Sequence, residues 1–187
     1  MPEDMDERLK NMSPEELKEF QKKQCIFCQI ISGKVQSRKI YSDDICTAVM
    51  DINPANPGHI LLLPNEHYAI MALMPDDTVT SMFKVAKKLS NVILKALKAE
   101  GTTIFGANGI AAGQKAPHFM LHIIPRMPDD GIDFKLPQKQ LTETDMQEIH
   151  KRVFARLEQL LGHAPTILSE QKKEEKVDLD SISKLLK

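Results

Sequence analysis

The chain of 187 residues sets 25 Lys and Arg against 26 Asp and Glu, a balance that leaves no electrostatic footprint for DNA or RNA. Hydrophobic residues reach 42% without any run of membrane-spanning length, so the composition suits one domain of ordinary size with extensions and no membrane partner. Three cysteines, two of them spaced as Cys25 and Cys28, and an acidic N-terminus argue against a secreted disulfide framework and a signal peptide; they predict a cytoplasmic protein.

In chain order, Ser13-Pro14-Glu15-Glu16 combines a capping box with proline at the first helical position and predicts a short helix to about Lys23. Residues 45–52 and 60–63 read as strands, with Pro54, Pro57 and Gly58 forcing a turn between them. From 77 to 99, the residues Val79, Met82, Phe83, Ala86, Leu89, Ile93, Ala96 and Leu97 recur at helical spacing, and Gly101 ends the predicted helix. Residues 103–107 form a further predicted strand, followed by a loop of small residues from 108 to 117. A second helix is predicted over 142–161, with Met146, Ile149, Val153, Leu157 and Leu160 on one stripe; both helical stripes are read as core packing. Residues 169–176 are a charge run that predicts a solvated linker, and 177–187 suit one or two amphipathic turns. The resulting organisation is an N-terminal helical extension over 1–24, a main domain over 25–164, and a charged linker with a short tail over 165–187.

The segment 113–126 is the most informative. It reads as a strand ending at a proline: His118, Met120 and His122 share one parity, and Phe119, Leu121 and Ile123 the other. One face buries apolar groups, and the other presents two imidazoles with a thioether between them, beside the Gly113-Gln114 turn. Imidazoles at such a turn suit phosphate or metal chemistry. Cys25 and Cys28 can converge on one ion, although two buried free thiols or a redox pair are the plainer alternatives. Cys46, within a strand, reads as an apolar filler.

These segments resemble the histidine triad (HIT) family of nucleotide hydrolases and transferases, whose signature is a Gly-Gln turn and three alternating histidines. Cys25-Ile26-Phe27-Cys28 is similar to the opening of its zinc-bearing branch. Met50-Asp51-Ile52-Asn53-Pro54, Pro57-Gly58-His59, Asn65-Glu66-His67 and Asn108-Gly109 follow in the family's order, and ordered motifs are more specific than any one alone. The resemblance implies an α+β fold, a mostly antiparallel sheet with a long packed helix, the sheet continuing across a homodimer. It implies a structural zinc held by Cys25, Cys28, His67 and His118. It also implies a purine nucleotide such as AMP or GMP, with Asp51 at the ribose hydroxyls and Ile52 at the base. Asn108, Gly113 and Gln114 would lie at the phosphates, with His59 and His122 as supporting histidines.

Two positions depart from the family. Its central histidine attacks the α-phosphate; the corresponding residue is Met120, and a thioether is neither a general acid nor a base and is a poor nucleophile toward phosphorus. Lys115 stands where the family carries Ser or Thr, placing a cation at the phosphate or in solvent. The expectation is a zinc-stabilised nucleotide-binding protein with little or no family hydrolase activity. The rivals are a working hydrolase or nucleotidyl transferase that uses water or an altered group, and a non-catalytic interaction protein with a vestigial pocket.

Overall fold

The computed structural model describes residues 12–133 and 135–163. The linker and tail expected beyond Pro165 lie outside the described residues. The chain divides into two compact units, Met1–Asp133 and Phe134–Lys187.

The first unit opens with helix α1 (Pro14–Gln24). Its cap follows the sequence closely: the Ser13 hydroxyl accepts from the Glu16 amide, the Glu16 carboxylate accepts from the Ser13 amide, and proline occupies the first turn. A short helix α2 (Ile26–Ile31) follows at once. Strands β1 (Lys39–Ser42), β2 (Cys46–Met50), β3 (Ile60–Pro64), β4 (Gly101–Phe105) and β5 (Leu121–Arg126) form one antiparallel sheet in the order β1-β2-β3-β5-β4. Helix α3 (Asp76–Ala96) lies between β3 and β4 in sequence and buries Met82, Val85, Ala86, Leu89 and Ile93. The α+β architecture is the one expected.

The sheet separates two apolar layers. On one side Cys46, Ala48, Ile60, Leu62, Phe119, Leu121 and Ile123 join the buried stripe of α3. Cys46 is fully buried, in keeping with a filler role. On the other side Val49, Leu61 and Leu63 form a smaller cluster, against which Phe27, Ile30 and Ile31 of α2 and Met120 pack. The register sets Leu61 opposite His122, and Phe105 opposite His122 from β4. His122 is thereby placed in the middle of the sheet, on the face that carries α2.

Several expectations are corrected. The signature strand begins at Leu121, so His118 and Met120 precede it rather than lie within it, and it runs through Pro125 to Arg126. β3 pairs with β5 only across Leu121–Ile123, so Pro125 lies where β5 has one strand neighbour and a missing amide is tolerated. Helix α3 stops at Ala96, capped by Leu97, and the left-handed residue that turns the chain is Lys98, with φ of 53°. Gly101 is not the stop; it is the first residue of β4. Strand β1 and helix α2 were not foreseen.

In the second unit helix α4 (Glu143–Leu161) starts at a Thr142 capping box and ends at left-handed Gly162. Its stripe is not core packing: no residue of α4 is buried, and Met146, Ile149, Val153, Leu157 and Leu160 are all exposed.

Candidate metal centre and histidine pocket

Two clusters of chemistry-bearing side chains arise from this frame. The first draws Cys25 and Cys28 from the junction and first turn of α2, His67 from just past β3, and His118 from just before β5. Their donor atoms all lie within 4.8 Å of one another. Cys28 Sγ is 3.3 Å from His67 Nδ1 and 3.6 Å from His118 Nδ1, and Cys25 Sγ is 3.4 Å from His118 Nδ1. A tetrahedral zinc with ordinary bond lengths sets sulfur-to-nitrogen separations at about 3.5 Å, so the donor set and its spacing fit the ion. The second nitrogen of His118 donates to the Pro64 carbonyl at 3.1 Å, which directs Nδ1 at the thiols, the outer contact that metal-binding histidines use.

Burial dominates the electrostatics of this cluster. It pushes the Cys28 thiol up to about 12, with Cys25 adding to the effect, and holds His118 down at about 4. A divalent cation reverses the preference for the thiol, because a coordinating sulfur gives up its proton.

The second cluster joins Asp51, His59 and His122. Asp51 immediately follows β2, where one carboxylate oxygen accepts from the Asn53 amide at 2.9 Å and fixes the turn. Gly58, at φ +89°, makes the tight return to β3, and a side chain there would strike Leu97 and crowd Pro125. His59 is buried behind that turn. The Ala55 amide donates to His59 Nδ1 at 3.2 Å, so Nδ1 is an acceptor and the neutral ring carries its proton on Nε2. That proton points to His122 Nδ1, 3.1 Å away, and His122 is left with its own proton on Nε2. Phe105 stacks on the His122 ring at 4.6 Å and 5°, locking its plane. Burial lowers both histidines below their ordinary range, opposed by Asp51, whose Oδ2 lies 3.4 Å from His59 Nδ1. The pair is therefore neutral at pH 7 and presents a hydrogen-bond donor.

The remaining sites fall around these clusters. Met120 packs with the Val49, Leu61 and Leu63 cluster. Gln114 is engaged by its own loop: its amide nitrogen donates to the Ala69 and Ala116 carbonyls, and its oxygen accepts from the Gly109 amide. Asn108 accepts from the Met71 amide at 2.8 Å. Both amides thus brace the loop in which Gly113 adopts φ +85°. Lys115 and Ile52 are exposed, Ile52 to 87%. Sequence reasoning missed Phe105 and Ala55; an aromatic beside Gly106 was the only signal for the first, and a backbone amide gives none.

This fold and these motifs define a protein of the HIT domain family, whose model matches residues 32–129; the chain belongs to it. It is 40% identical over 129 residues to an uncharacterized HIT-like protein of Methanocaldococcus jannaschii, covering 69% of this chain and 98% of that one. It is 31% identical over 135 residues to an adenosine 5'-monophosphoramidase of Saccharomyces cerevisiae, covering 72% and 83%. A zinc-bound histidine triad protein from Mycobacterium smegmatis superposes with a TM-score of 0.58 at 28% identity, covering 74% of this chain and 99% of that one.

Proposed function

We propose that this chain is a purine-nucleotide-binding HIT protein with a structural zinc and little or no family hydrolase activity. The observation that carries the reading is the environment of Met120. By the alternation of the segment it falls between His118 and His122, at the position of the family's nucleophile, and it packs in an apolar cluster. Sulfur of a thioether offers no titratable proton and forms no useful bond to phosphorus, so the covalent step has no agent. Loss of a nucleophile costs on the order of a millionfold in one well-studied enzyme.

The binding groups are retained. His122, held neutral with its proton on Nε2, donates to an anionic oxygen. Asp51 offers its carboxylate to ribose hydroxyls, and Ile52 presents an exposed apolar side chain to a base. Asn108, Gly113 and Gln114 shape the phosphate loop, and Lys115 adds a cation beside it. Zinc, held by Cys25, Cys28, His67 and His118, fits the donor spacing and, in the Mycobacterium smegmatis structure, a zinc-bound relative. A homodimer fits β4, an edge strand with Ile104 and Phe105 exposed. Three free cysteines fit a cytoplasmic location.

The second reading, an active hydrolase, draws on the yeast relative's name and on the intact Asp51, His59 and His122 cluster. Calorimetric titration with AMP and GMP, paired with product analysis on an adenosine phosphoramidate, separates the two. Binding without turnover is the expected result. Met120→His should then raise cleavage sharply, more so with Lys115→Ser, and yield a nucleotidyl adduct at residue 120 by mass spectrometry. Robust turnover by the unmodified chain, unchanged in Met120→Ala, sinks the proposal in favour of the hydrolase.

A further inference from the structure

We propose that helix α1 is a strap over the candidate metal centre, tying the thiol-bearing segment to the segment that carries His67; the inference rests on the zinc reading above. Nothing about α1 marks it as core. It buries none of its residues, it lies outside the residues matched by the family model, and eleven residues make a helix that is marginal on its own. Its attachments are polar, and they fall on both sides of the ligand set.

At the C-terminal end, α1 runs directly into the thiols. Cys25 is at once its C-cap and the N-cap of α2, with the Cys25 amide donating to the Lys22 carbonyl at 3.3 Å. The Gln29 side chain reaches back to the Lys23 carbonyl at 2.9 Å. Along its flank, Lys22 Nζ lies 2.9 Å and Lys18 Nζ 3.4 Å from the same Glu66 oxygen, and Glu66 immediately precedes His67. The two lysines are one helical turn apart, so a single carboxylate engages both only when the helix is formed.

The ligands come from two bodies. His118 is fixed to the end of β3 through Pro64, and His67 follows three residues later, so both imidazoles belong to the sheet. Both thiols belong to the helical segment, pressed on the sheet by Phe27, Ile30 and Ile31 from one side. The Lys18, Lys22 and Glu66 triad supplies the second tie. Opening of the centre needs the thiol segment to lift from the sheet, and the triad resists that motion. The strap is half exposed, with side chains of Lys18 and Glu66 at 52% and 54%, so salt screens it.

The test uses the full chain loaded with zinc, following metal content and the rate of zinc transfer to a chromophoric chelator at low and high ionic strength. Glu66→Gln, and separately Lys18→Gln with Lys22→Gln, should bind one zinc per chain and release it about two- to five-fold faster at low salt. Salt should speed release from the unmodified chain and leave the variants unchanged. Glu66→Lys combined with Lys18→Glu and Lys22→Glu should restore slow release. Equal release rates at equal stoichiometry overturn the strap and leave the centre standing. A chain that takes up no zinc overturns the centre, and the strap with it.

Discussion

Burial depresses His59, His118 and His122 together, His118 to about 4. A histidine whose folded pKa lies below its unfolded value takes up its proton first in the unfolded chain, so acid favours unfolding. Stability of the zinc-free protein should hold from about pH 6.5 to 8 and fall as pH drops toward 4; it falls further below that, where Asp43, Glu66 and Asp130, held below the usual carboxylate range by their hydrogen bonds, take up protons first in the unfolded chain. His118 alone contributes roughly 3 kcal/mol to that loss, and urea melts at stepped pH should show a markedly smaller decline in His118→Asn. The proton positions are open to direct measurement. Nitrogen NMR of the zinc-bound protein at neutral pH should find His59 and His122 both protonated on Nε2, as the Ala55 amide requires. A His122 proton on Nδ1 contradicts that chain of donors. At this scale the sequence disclosed residue identities well. Period-two parity set Met120 beside His122, and the Cys25, Cys28, His67 and His118 group converges in space. It could not disclose that the amides of Gln114 and Asn108 face backbone groups, because such bonds depend on loop path rather than on residue type.

Helices α3 and α4 carry similar apolar stripes in sequence and differ in what those stripes meet. Ile93 on α3 is 3% exposed, whereas Val153 on α4 is 63% exposed. Ile93→Ala should therefore destabilise the first unit by about 2–5 kcal/mol through lost contacts and a residual cavity, lowering its melting temperature by many degrees. Val153→Ala, at an exposed position, should change stability by no more than about 0.5 kcal/mol, and a larger change in the melting curve would contradict that exposure. Periodicity reports a stripe and is silent on its partner, which is why both helices read alike. The elements that escaped sequence reading were the short ones. Six residues in α2 and four mostly exposed ones in β1 are too few to show a period. The stop of α3 was misplaced because a lysine, Lys98, takes the left-handed turn that glycine usually fills.

The whole sheet leaves β4 at one edge, with Ile104 and Phe105 exposed and Phe83 and Met71 lining a hollow beside them. If a second copy continues the sheet there, a lysine on that edge should oppose it. Ile104→Lys is expected to shift the sedimentation mass from dimer to monomer while zinc content stays at one per chain. A dimer that withstands the change places the interface elsewhere. The strand order has a further consequence, for how the chain is made. Among the described residues β5 is the last strand in sequence, yet it lies between β3 and β4, and there β4 pairs with β5 alone. During synthesis, β2 and β3 can pair as soon as they emerge, but β4 must wait with its amides and carbonyls unfilled. An open edge on β3 and a lone strand are both invitations to pair with another chain. The interval between translation of Phe105 and of Arg126 is thus the period of greatest exposure to aggregation for the nascent protein, and slow passage through the Gly-rich loop between them would lengthen it.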